Sequence, residues 1–408
     1  MIASHKITLD PTNVQATYFA KASGVARFAY NWALIEWQKQ YQARKEDKSL
    51  KAPSQLALRR QLNAVKYEQF PWMEEVTKCA PQSAIINLGK AFSNYFADLE
   101  KPKNQRHFKY PRLKKKGRAK DSFVIDPVKI DGKNVLIPKL GWVRMEEELR
   151  FDGHVVSAVV SRTADRWFIA LTVRDAKLKK QRRMTENQGS VGVDLGVNRL
   201  AVLSNGEVVP GPKPHKRMMA RLKRLSRSLS RKKRGSANRK KAAMKLAKLH
   251  ARIANIRLDA VHKLTHKLAT KFAVIGIEDL NVSGMLANRK LSRAISDMML
   301  YEFRRQLEYK AQWHGSKVVV ADRWFASSKT CSHCGHKIET LPLSVRTWTC
   351  IACGTEHDRD GNASKNLEKY AVSSIASACG AVGSGPGLTT TTKPTAMKQD
   401  ENSIVRYA

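Results

Sequence analysis

Cys331, Cys334, Cys350 and Cys353 form a C-x2-C-x15-C-x2-C pattern, with glycine after each pair ("CSHCG", "CIACG"). Two intervening residues let both thiolates of a knuckle face one ion, and glycine permits the turn beneath it. Four thiolates close a tetrahedral structural zinc site and leave no open position for catalysis. Such a zinc holds a loop in place and cuts nothing. His333 and His357 are rival ligands that two complete cysteine pairs make unnecessary. Cys79 and Cys379 stand alone in sequence and read as buried or incidental.

A second constellation is dispersed along the chain. Asp194 lies within the apolar run "VGVDLGV", Glu278 near the end of "FAVIGIEDL", and Asp360 just ahead of "GNASKNL". Carboxylates on otherwise apolar strands are costly to bury unless a cation meets them. Three of them, from two strands and a helix start, suit divalent ions that activate water and stabilise a phosphoryl leaving group. Magnesium is the expected ion, because hard oxygen ligands suit it and phosphate oxygens can complete its octahedron. Each acid also has an ordinary reading: a turn residue, a strand-end ion pair and a helix cap. On chemistry alone, Asp358 competes with Asp360 for the third place.

The elements that position these residues fall into blocks. The 408 residues are 42% apolar, which allows two to three domains with real cores. "KITLD" alternates as a strand, and "DPTN" opens a helix with Asp10 as cap and Pro11 at its first position. Helical spacing then continues to about Lys101. "SFVID", "VLIPKLGWVRM", "VVSAVVSRT" and "RWFIALTVRD" read as strands of a small barrel or open sheet, which the first strand joins with the helices inserted. "KLKKQRRMTENQGS" is a polar linker, and "VGVDLGVNRLAVLSNGEVV" a strand pair. "FAVIGIEDL" and "SKVVVAD" are further strands, with "RKLSRAISDMMLYEFRRQLEYKAQWHG" as one helix between them. From Ser373 the tail, with "GSGPGLTTTTKPT", reads as disordered.

A formal charge of +40 repels itself and calls for a polyanion, nucleic acid first. Between Lys213 and Arg257 there are eighteen lysines and arginines and no acid. Met218, Leu222, Leu225 and Leu229 form one narrow apolar seam, and Ala242, Leu246, Leu249, Ile253 and Ile256 another. Two long basic helices follow from that spacing, interrupted at "RKKRGSANRK". Arg231, Lys232, Lys233 and Arg234 in the interruption are candidate nucleic-acid contacts. No apolar run reaches membrane-spanning length, and the first residues lack a signal-peptide core, so a cytosolic protein with reduced thiols is expected.

"GVDLGV", "GIEDL", "SSKTCSHCG", "RTWTC" and "HDRDGNAS" occur in this order. Together with "RFAYNWAL", "AFSNYF", "FKYPRLKKK" and "IPKLGWVRM" upstream, they resemble the TnpB family of insertion-sequence proteins, relatives of type V CRISPR effectors. The resemblance spans about Ile7 to Tyr370. It implies an α+β multidomain chain: a wedge β-barrel with a helical insertion, then an RNase H-like (RuvC) domain bearing a zinc ribbon. The wedge would comprise residues 1–12 and 101–184, the helical recognition domain 13–100, and the nuclease domain 185–372 with its ribbon at 326–356. The tail is 373–408.

It further implies catalytic acids at Asp194, Glu278 and Asp360, zinc on the four cysteines, and a guide RNA from the element's end. The implied activity is cleavage of guide-paired DNA beside a short adjacent motif. The family pattern favours Asp360 over Asp358, with Arg359 and Asn362 supporting substrate or the helix start. Lys78 and Gln82 fall where family members place readers of the adjacent motif, whereas "KSLKAPSQLALRRQ" matches no family pattern. The rivals are a nuclease-inactive RNA-guided repressor, a transposase that joins DNA ends, and a zinc-ribbon RNA-binding protein without catalysis.

Overall fold

The computed structural model describes residues 2–178, 189–342 and 344–380. Strand β1 (Ile2–Asp10) leads into helices α1 (Asn13–Glu46), α2 (Gln55–Gln69) and α3 (Cys79–Leu99). Six strands follow: β2 (Ser122–Ile125), β3 (Lys129–Asp131), β4 (Asn134–Ile137), β5 (Gly141–Met145), β6 (Phe151–Thr163) and β7 (Arg166–Leu178). Then come β8 (Ser190–Leu195), β9 (Arg199–Leu203), β10 (Val208–Pro210), α4 (Pro214–Ser230), α5 (Ala237–Lys271) and β11 (Val274–Glu278). Helices α6 (Val282–Ala287), α7 (Ser292–Met298) and α8 (Leu300–His314), strands β12 (Lys317–Ala321), β13 (Thr347–Thr349) and β14 (Glu356–Asp358), and helix α9 (Arg359–Gly380) complete the chain.

Two compact units emerge. One comprises Met1–Asn187, Pro210–Lys271 and Asn281–Ser316, the other Gln188–Val209, Phe272–Leu280 and Lys317–Ala408. The first unit holds a seven-stranded sheet in the order β2-β6-β7-β1-β5-β4-β3. β1 sits mid-sheet, antiparallel to β7 from Ile2↔Arg174 to Leu9↔Trp167, so α1–α3 are an insertion after the first strand. Phe19 of α1, Phe92 of α3 and Ile7, Ile125 and Met145 of the sheet are fully buried in one core. Ring contacts knit it, Phe19 meeting Trp167 at 5.2 Å and Phe92 stacking on Trp37 at 4.3 Å. The edge strands β2 and β3 are not bonded to each other, so the expected barrel is an open, curled sheet. Edge strands of four and three residues present too few groups to close it.

The helix after β1 is capped by Thr12 and not by Asp10. Thr12 and Gln15 form a reciprocal capping box, while Asp10 remains in the strand opposite Arg144. The basic helices are present as α4 and α5. Leu222, Leu249 and Ile253 are buried between them, flanked by Met218, Leu225 and Leu246. The single helix expected after β11 is broken at Met299, which takes a left-handed φ of 52° between α7 and α8. Next to that break, the buried Asp297 carboxylate accepts hydrogen bonds from the His215 and Lys216 amides at the start of α4 and pairs with Arg257 at 2.7 Å.

The second unit is built on a five-stranded sheet ordered β10-β9-β8-β11-β12. β8, β11 and β12 run parallel, and β9 is antiparallel to β8. α9 lies across β8, β11 and β12 and continues to Gly380, so the segment from Ser373 begins as helix. "AVSSIASA" has no helix breaker before that glycine. The expected disordered tail from 381 and most of the linker, 179–188, lie outside the described residues. Among the described residues, no helix is long and apolar enough to cross a membrane.

Candidate active site and metal centre

Gly192 and Gly276 are register partners on the parallel strands β8 and β11. A Cβ on Gly192 would lie 1.8 Å from the Ser364 carbonyl oxygen, and one on Gly276 would lie 2.4 Å from that of Leu367. The bare backbone at this pair lets α9 lie directly on the sheet. Two residues further along each strand, on the same face, stand Asp194 and Glu278. One helical turn before Ser364, at the start of α9, stands Asp360. The close approach thus brings all three sequence-expected acids to one place.

Burial, then the charges of Glu278 and Asp360, push the Asp194 carboxyl well above the usual carboxylate range. A buried carboxyl opposed by two neighbouring acids marks a site that gains from a cation. Glu278 is oriented by a short hydrogen bond from the Ser327 hydroxyl. The next residue, Asp279, holds Arg323 through contacts of 2.6 and 3.1 Å. Arg346 lies 3.5 Å from Asp360.

The acidic motif divides its labour. Asp358 caps α9, its carboxylate accepting from the Gly361 amide at 2.9 Å, and it lies 3.7 Å from Arg199. Asp360 is thereby not the cap. Arg359 donates to the Pro342 carbonyl at 2.8 Å, and its charge favours the ionised form of Asp194. Asn362 is 3% exposed; it accepts from the Ser332 amide at 2.8 Å and donates to the Thr330 carbonyl at 2.7 Å. Asn366 donates to the Ser327 and Thr330 carbonyls at 2.8 and 2.6 Å. These two asparagines fasten the segment that carries Ser327 into the first cysteine knuckle.

The ligand atoms of Cys331, Cys334, Cys350 and Cys353 all lie within 4.8 Å of one another, a group that can hold a metal ion. Two sulfur pairs stand 3.7 and 3.6 Å apart. A tetrahedron with metal–sulfur bonds of about 2.3 Å has edges of about 3.8 Å, so the donor set fits an ion of that kind. Gly335 and Gly354 take left-handed φ values of 79° and 70° under the knuckles. His357 is not a fifth candidate in the ring of donors. Its Nε2 lies 3.0 Å from Cys331 Sγ, bonding that sulfur from outside the group of four, and its ring packs on Trp348. His333 is exposed. The lone Cys79 is buried, its thiol 3.0 Å from the Asp126 carbonyl.

The residues expected to touch nucleic acid lie in the first unit, outside this cluster. Lys78 is exposed at the start of α3, and Gln82 is half-buried one turn later. Arg231 closes α4, and Lys232, Lys233 and Arg234 form the turn into α5. Arg239 donates to the Leu229 and Lys232 carbonyls at 2.8 and 2.9 Å, tying that turn together. Sequence reasoning missed Gly192, Gly276, Ser327, Asn366 and Arg239. The glycines left a trace, since each stands two residues before an acid in an otherwise branched apolar strand.

Three family models match: "Probable transposase" of IS605-type OrfB proteins over residues 172–289, "Cas12f1-like, TNB domain" over 301–367, and "Helix-turn-helix domain" over 1–46. A Streptomyces pristinaespiralis protein named "Putative RNA-guided DNA endonuclease" is 38% identical, covering 92% of this chain and 90% of its own. An Escherichia coli relative of the same printed description is 30% identical over 90% of this chain and 91% of its own. Among solved structures, a Cas12f1–sgRNA–target DNA complex aligns with 87% of this chain and 83% of that one, at 17% identity and a TM-score of 0.47. With relatives this similar along nearly the whole sequence, the chain belongs to the TnpB family of IS605-type elements.

Proposed function

We propose that this protein is an RNA-guided DNA endonuclease of a transposable element, with Asp194, Glu278 and Asp360 as its catalytic carboxylates. The observation that carries the reading is the glycine pair beneath α9, with Glu278 and Asp360 both near enough to oppose the ionisation of the buried Asp194. Family membership supplies the rest: relatives covering nine-tenths of this chain carry RNA-guided DNA endonuclease in their names.

Residues 1–12 and 101–184 are read as a wedge domain, 13–100 as the recognition helices and 185–372 as an RNase H-like RuvC domain. The sheet of the second unit, with β9 antiparallel to β8 beside the parallel strands β8, β11 and β12, supports that last assignment. Lys78 and Gln82 are read as contacts to the motif beside the target. The basic turn Arg231–Arg234 is read as a guide RNA contact, the guide arising from the element's end.

Magnesium held by the three carboxylates would supply Lewis-acid stabilisation of the reacting phosphodiester and a more acidic water. The chain's own part is placement. The sheet fixes Asp194 and Glu278, α9 fixes Asp360, and Ser327 sets the Glu278 rotamer. Zinc on the four cysteines would hold the ribbon that Asn362 and Asn366 tie to α9. Metal analysis should find about one zinc per chain, and Cys350→Ser should release it and loosen the ribbon.

The deciding experiment sequences the RNA that copurifies and uses its guide segment to design matched DNA. Parental protein should cut that DNA with magnesium and not with chelator. Binding without cleavage in magnesium would make it a guided repressor, and joining of DNA ends would make it a transposase.

A further inference from the structure

Trp324 is 86% exposed, and among the described residues no large apolar side chain is more so. Tryptophan is normally among the more buried residues, so a bare one on a rigid support is informative. The support here is firm on both sides. The Trp324 amide donates to the Asp322 carboxylate at 2.8 Å, and the Phe325 amide to the Asp322 carbonyl at 3.0 Å. Arg323 is clamped by Asp279, Phe325 packs against Tyr370 of α9 at 4.8 Å, and Ser327 bonds Glu278. The turn is therefore pinned to both Glu278 and Asp279, with the indole between the pinning points projecting into solvent.

From this juxtaposition we infer that Trp324 is a stacking platform for a base of the single DNA strand presented to the carboxylates. The inference rests on the nuclease reading above for the identity of the strand. An indole face stacks on any base, which suits an enzyme whose sequence choice lies in a guide. Its neighbours Asp322 and Arg323 are exposed and charged. That setting suits one flat ring against one base better than an apolar protein interface, whose centre excludes charge. Held this way, the strand would be fixed by the same segment whose Ser327 bonds Glu278, and stacking would act on the geometry of cleavage more than on guided binding.

The test uses full-length protein with its copurified RNA. Trp324→Ala should slow single-turnover cleavage of guide-matched DNA about ten-fold, the range expected for one lost base stack. Trp324→Phe should restore most of the rate, and guided binding should be unchanged in both. A short single-stranded oligonucleotide containing 2-aminopurine should be quenched by the parent and by Trp324→Phe, and much less by Trp324→Ala. Unchanged metal content and melting would show that the variants are folded. A Trp324→Ala protein that cuts at the parental rate, or a loss that Trp324→Phe does not restore, overturns the proposal. A parental protein that never cuts overturns the nuclease reading instead. The fluorescence comparison then still decides whether Trp324 stacks on a base.

Discussion

At the residue scale the cluster trades stability for a charge it must keep. Asp194 holds its proton longer in the folded chain than in the unfolded one, because burial and then Glu278 and Asp360 oppose its ionisation. Without metal, folded stability therefore falls as pH rises from the ordinary carboxylate range through the raised value. Asp194→Asn removes that charge at nearly constant shape. In chelator near neutral pH, this variant should melt about 2–5 °C above the parent while cleaving orders of magnitude more slowly in magnesium. A variant no more stable than the parent would mean that burial and the neighbouring acids do not strain Asp194. The neighbouring acids separate by the same logic. Asp358→Ala loses a helix cap, costing about 1 kcal/mol, and should keep most of its cleavage. Asp360→Ala should keep its stability and lose cleavage; a loss in Asp358→Ala with cleavage kept in Asp360→Ala would return the third place to Asp358.

At the scale of elements, β1 carries a buried titratable group of its own. His5 is 4% exposed, and its Nδ1 accepts from the Arg150 amide at 3.4 Å. Burial, then the Arg150 charge, lower its pKa to about 4, partly offset by Glu147. The unfolded chain thus binds a proton that the folded chain refuses between about pH 4 and the ordinary histidine value of about 6.5. Stability should rise with pH across that window and level off above it. His5→Asn keeps an acceptor and cannot titrate, so urea midpoints measured from pH 4 to 7 should rise less steeply for it than for the parent. Much of this architecture was legible beforehand. Strand alternation marked β1, β6 and β7, and the leucine seams marked α4 and α5. The acids were legible as well, because a carboxylate in a branched apolar strand contradicts its surroundings. Features set by distant partners were not. Gly192 and Gly276 acquire their meaning from the backbone of α9, some 90 to 170 positions along the chain. The break at Met299 accompanies an Asp297 that answers to α4 and α5. Local chemistry did contain one further clue: Asp358 and Gly361 stand at cap spacing, which separates Asp358, the cap, from Asp360.

At the scale of the whole molecule, the excess of forty positive charges is the property that must meet a partner. Its densest run is the α4–α5 hairpin, where a buried leucine and isoleucine seam consumes one side of each helix. The remaining sides carry bases with few acids to answer them; Lys248 pairs with Asp165 at 2.7 Å and Arg257 with Asp297. Arg231 to Arg234 sit at the turn, where Arg239 holds the backbone and the four side chains lie largely toward solvent. Each base that neutralises a phosphate releases a condensed counterion, so affinity for RNA should fall linearly on a log–log plot against salt. Replacing Arg231, Lys232, Lys233 and Arg234 by Ala should lower that slope by about 3 to 4, the span for four phosphates of a single or paired strand. Melting should change little, because the turn is fastened by backbone carbonyls that the substitutions leave in place. The measurement is a salt titration of the copurified RNA on parent and variant, both stripped and refilled. A slope that does not move would place the RNA on another face, and the hairpin would then be basic for solubility alone.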